Sequence, residues 1–434
     1  MSRRTIFPLV LGVTLGIAAV LAVTVAVWTR RPLLFCDAAA TPAAYEGEWF
    51  YRLHAGPDGW LLRDDDLTTT FTVAPDTLAY LERLTAALSD KGVALVLAAQ
   101  PPRGVALPAG SLPGYDPGAA LGRYAEVRAA LETTGLHVTD LGRVASETPN
   151  YFFRRDHHWT PDGAEASARA VAETLRAARV YGLLEPETFT TEATQEEEQV
   201  GSFGEAIGRI CGRNPPAERL TRYRTRAEKT AEQASGQESP AGDLFGDVSA
   251  PPVTLVGTSN SARPDLNFSG FLEQATGFEV LNAAAIGGGP QAALGSYFRS
   301  DTFHQATPAV IVWEFATLFD LPQDPLFYRQ LIPSVGGTCA APALTHRLDG
   351  TPLTLFDGPR SGRNLYLEFT DLSLTAFGLE LVYQNGLRES LNLRRSGQET
   401  NDGSYFLELL GQPARVTLTL PERATGDVQA RLCP

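Results

Sequence analysis

The residues of this chain best suited to chemistry lie in two short segments, Asp156-His157-His158-Trp159-Thr160 and Gly257-Thr258-Ser259-Asn260-Ser261. A serine hydroxyl is a weak nucleophile at neutral pH. Acyl transfer therefore needs an imidazole to take its proton and a carboxylate to fix the imidazole's tautomer. Ser259 as nucleophile, His158 as base and Asp156 as the orienting partner meet that need, with the base ahead of its nucleophile in sequence. His157 is an alternative base, since either of two neighbouring imidazoles can face the serine. A zinc site is the weaker reading, because adjacent histidines point apart and no further His or Cys stands at ligand spacing nearby.

Each segment sits in a local context that would present it. Val253-Thr254-Leu255-Val256 reads as a buried strand ending at Gly257, which sets Ser259 on a tight turn at the carboxyl end of a sheet. Ligands of open α/β sheets bind at that edge. The plain alternative is ordinary turn chemistry, for which Ser, Asn and Gly are common. Thr160 reads as a helix N-cap, with Pro161 at the first helical position and Asp162 and Glu165 in the first turn. Asp156 and His158 then lie on the loop feeding a helix that runs to about Arg176.

The positioning elements alternate. Leu78, Leu81, Leu84 and Leu88 mark a helical stripe, Gly92 ends it, and residues 93–97 form an apolar strand. Residues 121–131 repeat the helix and 138–141 the strand, so a parallel sheet is expected. Residues 186–250, with Glu196-Glu197-Glu198 and a polar stretch from 222 to 243, read as an exposed, partly disordered excursion. The alternation then resumes: the serine strand, a helix near 270–275, a strand at 279–281, the Gly287-Gly288-Gly289 loop, a helix near 291–298 and a strand at 309–313. One sheet is assembled from both halves. From about residue 335 the apolar period becomes two, at Leu365, Leu367 and Phe369, again from Phe377 to Tyr383, and at Val416, Leu418 and Leu420, which predicts an antiparallel β-sandwich.

The 434 residues leave room for two or three domains, and 44% hydrophobic with 20% charged residues is ordinary globular composition. A net charge of -14 argues against nucleic acid as a partner. Arg3 and Arg4 precede an apolar run over residues 6–28, followed by Arg30 and Arg31. That run is long enough to cross a bilayer, so residues 1–32 read as a signal anchor in preference to a cleaved signal peptide. Cys36, Cys211, Cys339 and Cys433 are an even, widely spaced set without a Cys-x-x-Cys pair, which suits disulfides in an oxidising compartment. Cys339 and Cys433 lie at the two ends of the β module and are expected to pair, leaving Cys36 with Cys211. Sequence alone permits three connectivities.

At Asp156-x-His158-Trp159-Thr160-Pro161, at Leu255-Val256-Gly257-Thr258-Ser259-x-Ser261 and at Asn267-Phe268-Ser269-Gly270-Phe271-Leu272 the chain resembles the alginate-biosynthesis O-acetyltransferases. Asp58-Gly59-Trp60-Leu61, Leu281-Asn282 ahead of the glycine loop, and Ile311-Val312-Trp313-Glu314-Phe315 share the likeness, which covers roughly residues 45–325. The resemblance implies an SGNH-hydrolase-like domain over 36–330 and a carbohydrate-binding β module over 335–434. It also implies a periplasmic enzyme, tethered by its N-terminal helix, that acetylates an exported anionic polysaccharide through an acetyl-serine. No cofactor is implied. The acetyl donor would be a membrane-bound O-acyltransferase, and other export proteins would be partners. An extracellular carbohydrate esterase with the same triad, and a non-catalytic polysaccharide-binding scaffold, are the alternatives.

For the oxyanion the candidate donors are the N–H groups of Ser259, Gly287 and Gly288 and the side chains of Gln100 and Asn282. Arg103 is a candidate partner for a uronate carboxylate, with a solvated loop arginine as the alternative. Trp159 is a further substrate-binding candidate. The chain departs from the family at His157, where a small polar residue is common, and at Asn260, where an aromatic is common. The second departure would remove a sugar-stacking platform.

Overall fold

The computed structural model describes residues 53–228, 251–348, 352–421 and 424–434. The apolar run at 6–28 and Cys36 lie outside these residues. Among the described residues, no helix is long and apolar enough to cross a membrane.

Strands β1 (Leu53–Ala55) and β2 (Leu61–Arg63) pair antiparallel ahead of the alternating region. Helix α1 (Pro75–Ser89) opens on a proline and buries Leu81, Leu84 and Leu88, and strand β3 (Ala94–Ala99) follows. Helix α2 (Pro117–Glu132) is capped by Asp116, whose carboxylate accepts from the N–H of Gly118. Strand β4 is only His137–Val138, shorter than the expected 138–141. The reason is local: Asp140 accepts from the N–H of Arg143 and starts helix α3 (Leu141–Glu147) at once. Helix α4 (Pro161–Arg176) has the bounds that its Thr160 cap and Pro161 implied.

The excursion is more ordered than its composition suggested. Strands β5 (Phe189–Gln199) and β6 (Glu218–Ala227) form a long antiparallel ribbon, with helix α5 (Ser202–Cys211) between them. Opposite charges face each other across the ribbon, Glu192 against Arg224 and Glu198 against Arg219, and Arg222 Nε forms an ion pair with Glu197 at 2.8 Å. Cross-strand pairing of this kind stabilises a mostly polar ribbon, which a hydrophobic pattern does not register. Residues 229–250 lie outside the described part.

Strand β7 (Val253–Val256) leads to the four-residue helix α6 (Ser259–Ala262), then α7 (Phe268–Thr276) and β8 (Val280–Asn282). Helices α8 (Gly289–Arg299) and α9 (Asp301–Gln305) precede strand β9 (Val310–Phe315), all of which is buried. The five strands run parallel in the order β4-β3-β9-β7-β8. Strand β9 therefore lies between the two halves of the chain.

Helix α10 (Pro325–Gly336), which no pattern announced, carries the chain to the β module. There β10 (Leu344–Arg347), β11 (Leu353–Asp357), β12 (Asn364–Phe369), β13 (Ala376–Tyr383), β14 (Arg388–Arg394), β15 (Ser404–Glu408), β16 (Pro413–Thr419) and β17 (Asp427–Cys433) build two four-stranded antiparallel sheets. Leu365, Leu367, Phe377, Leu379, Val416 and Leu418 fill the space between them. Cys339 and Cys433 are bonded, with Cα atoms 5.8 Å apart. The expected bridge from Cys211 to Cys36 falls outside the described residues. The module docks through Arg329 of α10, which donates to both oxygens of Glu389 at 2.7 and 3.0 Å and to the carbonyl of Glu408.

Candidate active site

The turn that carries Ser259 hangs from the end of β7. Gly257 is required there, because a Cβ at this position would lie 2.5 Å from Glu314 Oε2. Thr258 caps α6, so Ser259 occupies the first residue of a short helix instead of a plain loop. Beneath the turn, on central strand β9, Glu314 is fully buried. Its carboxylate accepts from the Thr258 N–H at 2.9 Å, the Thr258 hydroxyl at 3.1 Å and the Ser261 hydroxyl at 2.7 Å. Burial pushes its pKa up, and these donors partly offset that. Ser259 itself is half-buried, between buried Thr258 and Asn260.

The base loop is held from behind by Arg103. Its guanidinium donates to the carbonyls of Leu61 at 2.8 Å and Phe153 at 2.6 Å, and pairs with buried Asp66 at 3.0 Å. The rings of Trp60 and Phe203 each lie 5.1 Å away. At 1% exposure this arginine is an internal strut. It does not reach solvent, so the expectation that it meets a uronate is corrected. Glu218 of β6 completes the support by accepting the N–H groups of Arg154 and Arg155.

From that loop the three expected residues converge. Asp156 Oδ1 accepts from the His158 N–H at 3.0 Å and from the ring Nδ1 of His158. With Nδ1 donating, Nε2 is the acceptor, and the Ser259 Oγ lies 2.7 Å from it. Asp156 Oδ2 accepts the N–H of Ser202, the first residue of α5, at 2.9 Å. The approach depends on Gly201, with φ of 78°, where a Cβ would lie 2.4 Å from the Arg155 carbonyl. Burial alone would raise the Asp156 pKa, but the His158 hydrogen bond, the two imidazoles and the Ser202 N–H hold it well below the usual carboxylate range.

His157 takes a different place. Its ring lies against that of His158, centroids 3.8 Å apart and planes tilted by 37°, and its Nδ1 is 2.8 Å from the Ser202 hydroxyl. Burial, then the neighbouring His158 charge, lower its pKa to about 3. The ring that meets the serine is His158. Asp156, His157 and His158 bring ligand atoms within 4.8 Å of one another. Asp156 and His158 already spend those atoms on each other, on Ser202 and on Ser259.

The remaining expected residues are placed less directly. Trp159 is fully buried against Phe268, its indole N–H 3.3 Å from the Asn260 carbonyl, so it offers no face to a sugar. Asn260 is also fully buried, and its Oδ1 accepts the Trp159 N–H, tying the base loop to the nucleophile turn. A sugar-stacking role at position 260 does not fit that burial. Asn282 donates to the Ser261 carbonyl at 2.8 Å and accepts the Ala284 N–H, which commits its amide to the turn. Gln100 is buried at the end of β3, separated from β7 by β9. Gly287 and Gly288 pack against Gln398 of the β module. The loop before them is anchored to the turn by the Ala285 N–H, which donates to the Gly257 carbonyl at 2.9 Å.

Three neighbours of the site were given no role by the sequence, although Glu314 stood in one of the segments that carry the family likeness. Ser202 lies in the polar excursion. Glu314 lies in an otherwise apolar strand. Arg263, four residues after the nucleophile, places Nη1 3.2 Å from His158 Nδ1 and is paired with Asp265.

A family model described as SGNH hydrolase-like domain, acetyltransferase AlgX, matches residues 53–317. The chain is 32% identical over 394 residues to alginate biosynthesis protein AlgX of Pseudomonas aeruginosa, covering 86% of this chain and 81% of that one. It is 32% identical over 275 residues to the probable alginate O-acetylase AlgJ of the same organism, covering 60% and 68%. The solved structure of Pseudomonas aeruginosa AlgX superposes with a TM-score of 0.76 at 29% identity, over 92% of this chain and 99% of that one. The chain therefore belongs to the AlgX family of SGNH hydrolase-like acetyltransferase domains.

Proposed function

We propose that the protein is an O-acetyltransferase that acetylates hydroxyls of an exported polysaccharide, alginate or a related anionic polymer, through an acetyl-serine. The observation that carries this reading is the 2.7 Å contact between Ser259 Oγ and His158 Nε2, with Nδ1 of the same ring on Asp156. Ser259 attacks the acetyl carbonyl while His158 takes its proton, and that proton leaves with the departing group. A sugar hydroxyl then attacks the acetyl-serine, His158 takes the new proton, and Ser259 regains it as the acetyl group leaves. The Ser259 N–H, at the start of α6 where helical N–H groups lack internal partners, serves the oxyanion. No cofactor enters these steps.

The names of the relatives, an alginate biosynthesis protein and a probable alginate O-acetylase, support the polymer and the reaction. In this reading the protein works in the periplasm, tethered by its N-terminal segment. It takes acetyl groups from a membrane-bound O-acyltransferase, meets other export proteins, and holds polymer on the β module. The test is to incubate the protein and its Ser259→Ala variant with an activated acetyl ester and mannuronate oligomers, reading the protein and the sugars by mass spectrometry. Acetyl-Ser259 and acetylated oligomers, both absent from the variant, are expected. Acetate release unaffected by the oligomers, with no acetylated sugar, would replace transfer by hydrolysis.

A further inference from the structure

Arg263 stands beside the Nδ1 edge of His158, the edge that also meets Asp156. Its Nε and Nη2 are fixed by the two carboxylate oxygens of Asp265, and Nη2 also donates to Gln199 of the ribbon at 3.2 Å. The fork is thus held at one end by the segment after the nucleophile and at the other by the excursion. Its remaining nitrogen, Nη1, lies 3.2 Å from His158 Nδ1 and 3.8 Å from Asp156 Oδ2. Nδ1 already carries the proton that it donates to Asp156, so this contact is one of charge and not a hydrogen bond. The side chain is 21% exposed, which leaves the interaction only partly screened.

We propose that Arg263 is a positioning residue that sets the proton affinity of the base, its fixed positive charge opposing the imidazolium that Asp156 favours. The inference rests on the reading of His158 as the base. A carboxylate alone beside an imidazole raises its proton affinity, and an over-basic imidazole is protonated and idle in mildly acidic surroundings. A permanent cation on the same edge lowers that affinity. It keeps the base free at lower pH and makes the imidazolium a stronger acid toward the departing group. The other charged or titratable groups facing His158 are few. Asp156 and the neighbouring His157 lie on its own loop, Asp265 neutralises part of Arg263, and Arg63 and Arg103 act from behind His157.

The test compares the full chain with Arg263→Leu, Arg263→Gln and Arg263→Lys. One measurement is kcat/KM against pH with an activated acetyl ester. The other is the titration of the His158 ring followed by NMR, its signal assigned with His158→Gln. In the neutral variants both the acid limb and the NMR midpoint should move up by about one pH unit. Lys, which keeps the charge, should hold them within about 0.3 unit of the parent. Neutral variants that titrate with the parent, or a lysine variant that moves as far as leucine, overturn the assignment. Arg263→Gln carries the comparison if the leucine variant does not fold. A midpoint that moves while no acetyl transfer is found in any variant sinks the proposed reaction and leaves this inference standing.

Discussion

The N–H of Ser202 donates to Asp156 Oδ2 at 2.9 Å, so a helix inside a polar excursion holds the carboxylate that meets His158. A hydrogen bond to an ionised group contributes about 1.5–3 kcal/mol. Ser202→Pro removes this donor at the first residue of α5, where proline is tolerated. It should lower kcat for an acetyl ester by about 10- to 100-fold with the fold retained by circular dichroism. Ser202→Ala keeps the N–H and should stay within about threefold of the parent. Equal rates in the two variants would reject the role.

His157 gives the protein an acid-sensitive element. Its folded pKa of about 3 lies below the unfolded value of about 6.5, so the unfolded chain binds the proton first. The stability this contributes is complete above about pH 6.5 and is lost as pH falls toward 3. At pH 5 the loss is about 1–2 kcal/mol. Urea denaturation at pH 7 and pH 5 should show that loss in the parent and not in His157→Gln. The same variant should retain most of its turnover, whereas His158→Gln should retain almost none. The reverse pattern would make His157 the base.

Glu314 is the shared acceptor beneath the turn that carries Ser259. Glu314→Ala strands the Thr258 N–H and two hydroxyls in a buried place, at a cost of about 3 kcal/mol or more. Denaturant titration should show it. Glu314→Gln, which keeps one acceptor oxygen, should lose less stability yet still lower kcat, since the turn that carries Ser259 is displaced. An unchanged kcat would show that the turn holds its shape without the carboxylate.

The bidentate pair of Arg329 with Glu389 fixes the β module on α10. Removing one partner leaves a buried charge, so Arg329→Met should cost about 3 kcal/mol, and pairing it with Glu389→Leu should recover much of that. Strict additivity of the two losses in a double-mutant cycle would show that the groups do not interact.

Much of this arrangement was legible. The Thr160 cap with Pro161, the apolar run ending at Gly257 and the period-two stretches are local signals, and the corresponding elements lie where those signals pointed. What stayed hidden depends on distant partners. Arg103 after a strand reads as a solvent-facing base, and only the carbonyls of Leu61 and Phe153, brought in from elsewhere, show it to be internal. Trp159 stands as a substrate-binding candidate until Phe268 is seen to cover it. Ser202 is silent because its contribution is a backbone N–H, which no side-chain pattern encodes.

The position of β9 also bears on when activity can begin. This strand separates β3, which follows from the half carrying the base loop, from β7, which carries Ser259, and it is the last of the five to be made. A chain emerging N-terminus first exposes Asp156 and His158 early, but the sheet that brings them to the serine has a gap at its centre until residues 310–315 arrive. Long-range parallel pairing of this kind forms late. Unfinished chains should accordingly be inert, and the acyl-transfer machinery would come into being only with a nearly complete polypeptide.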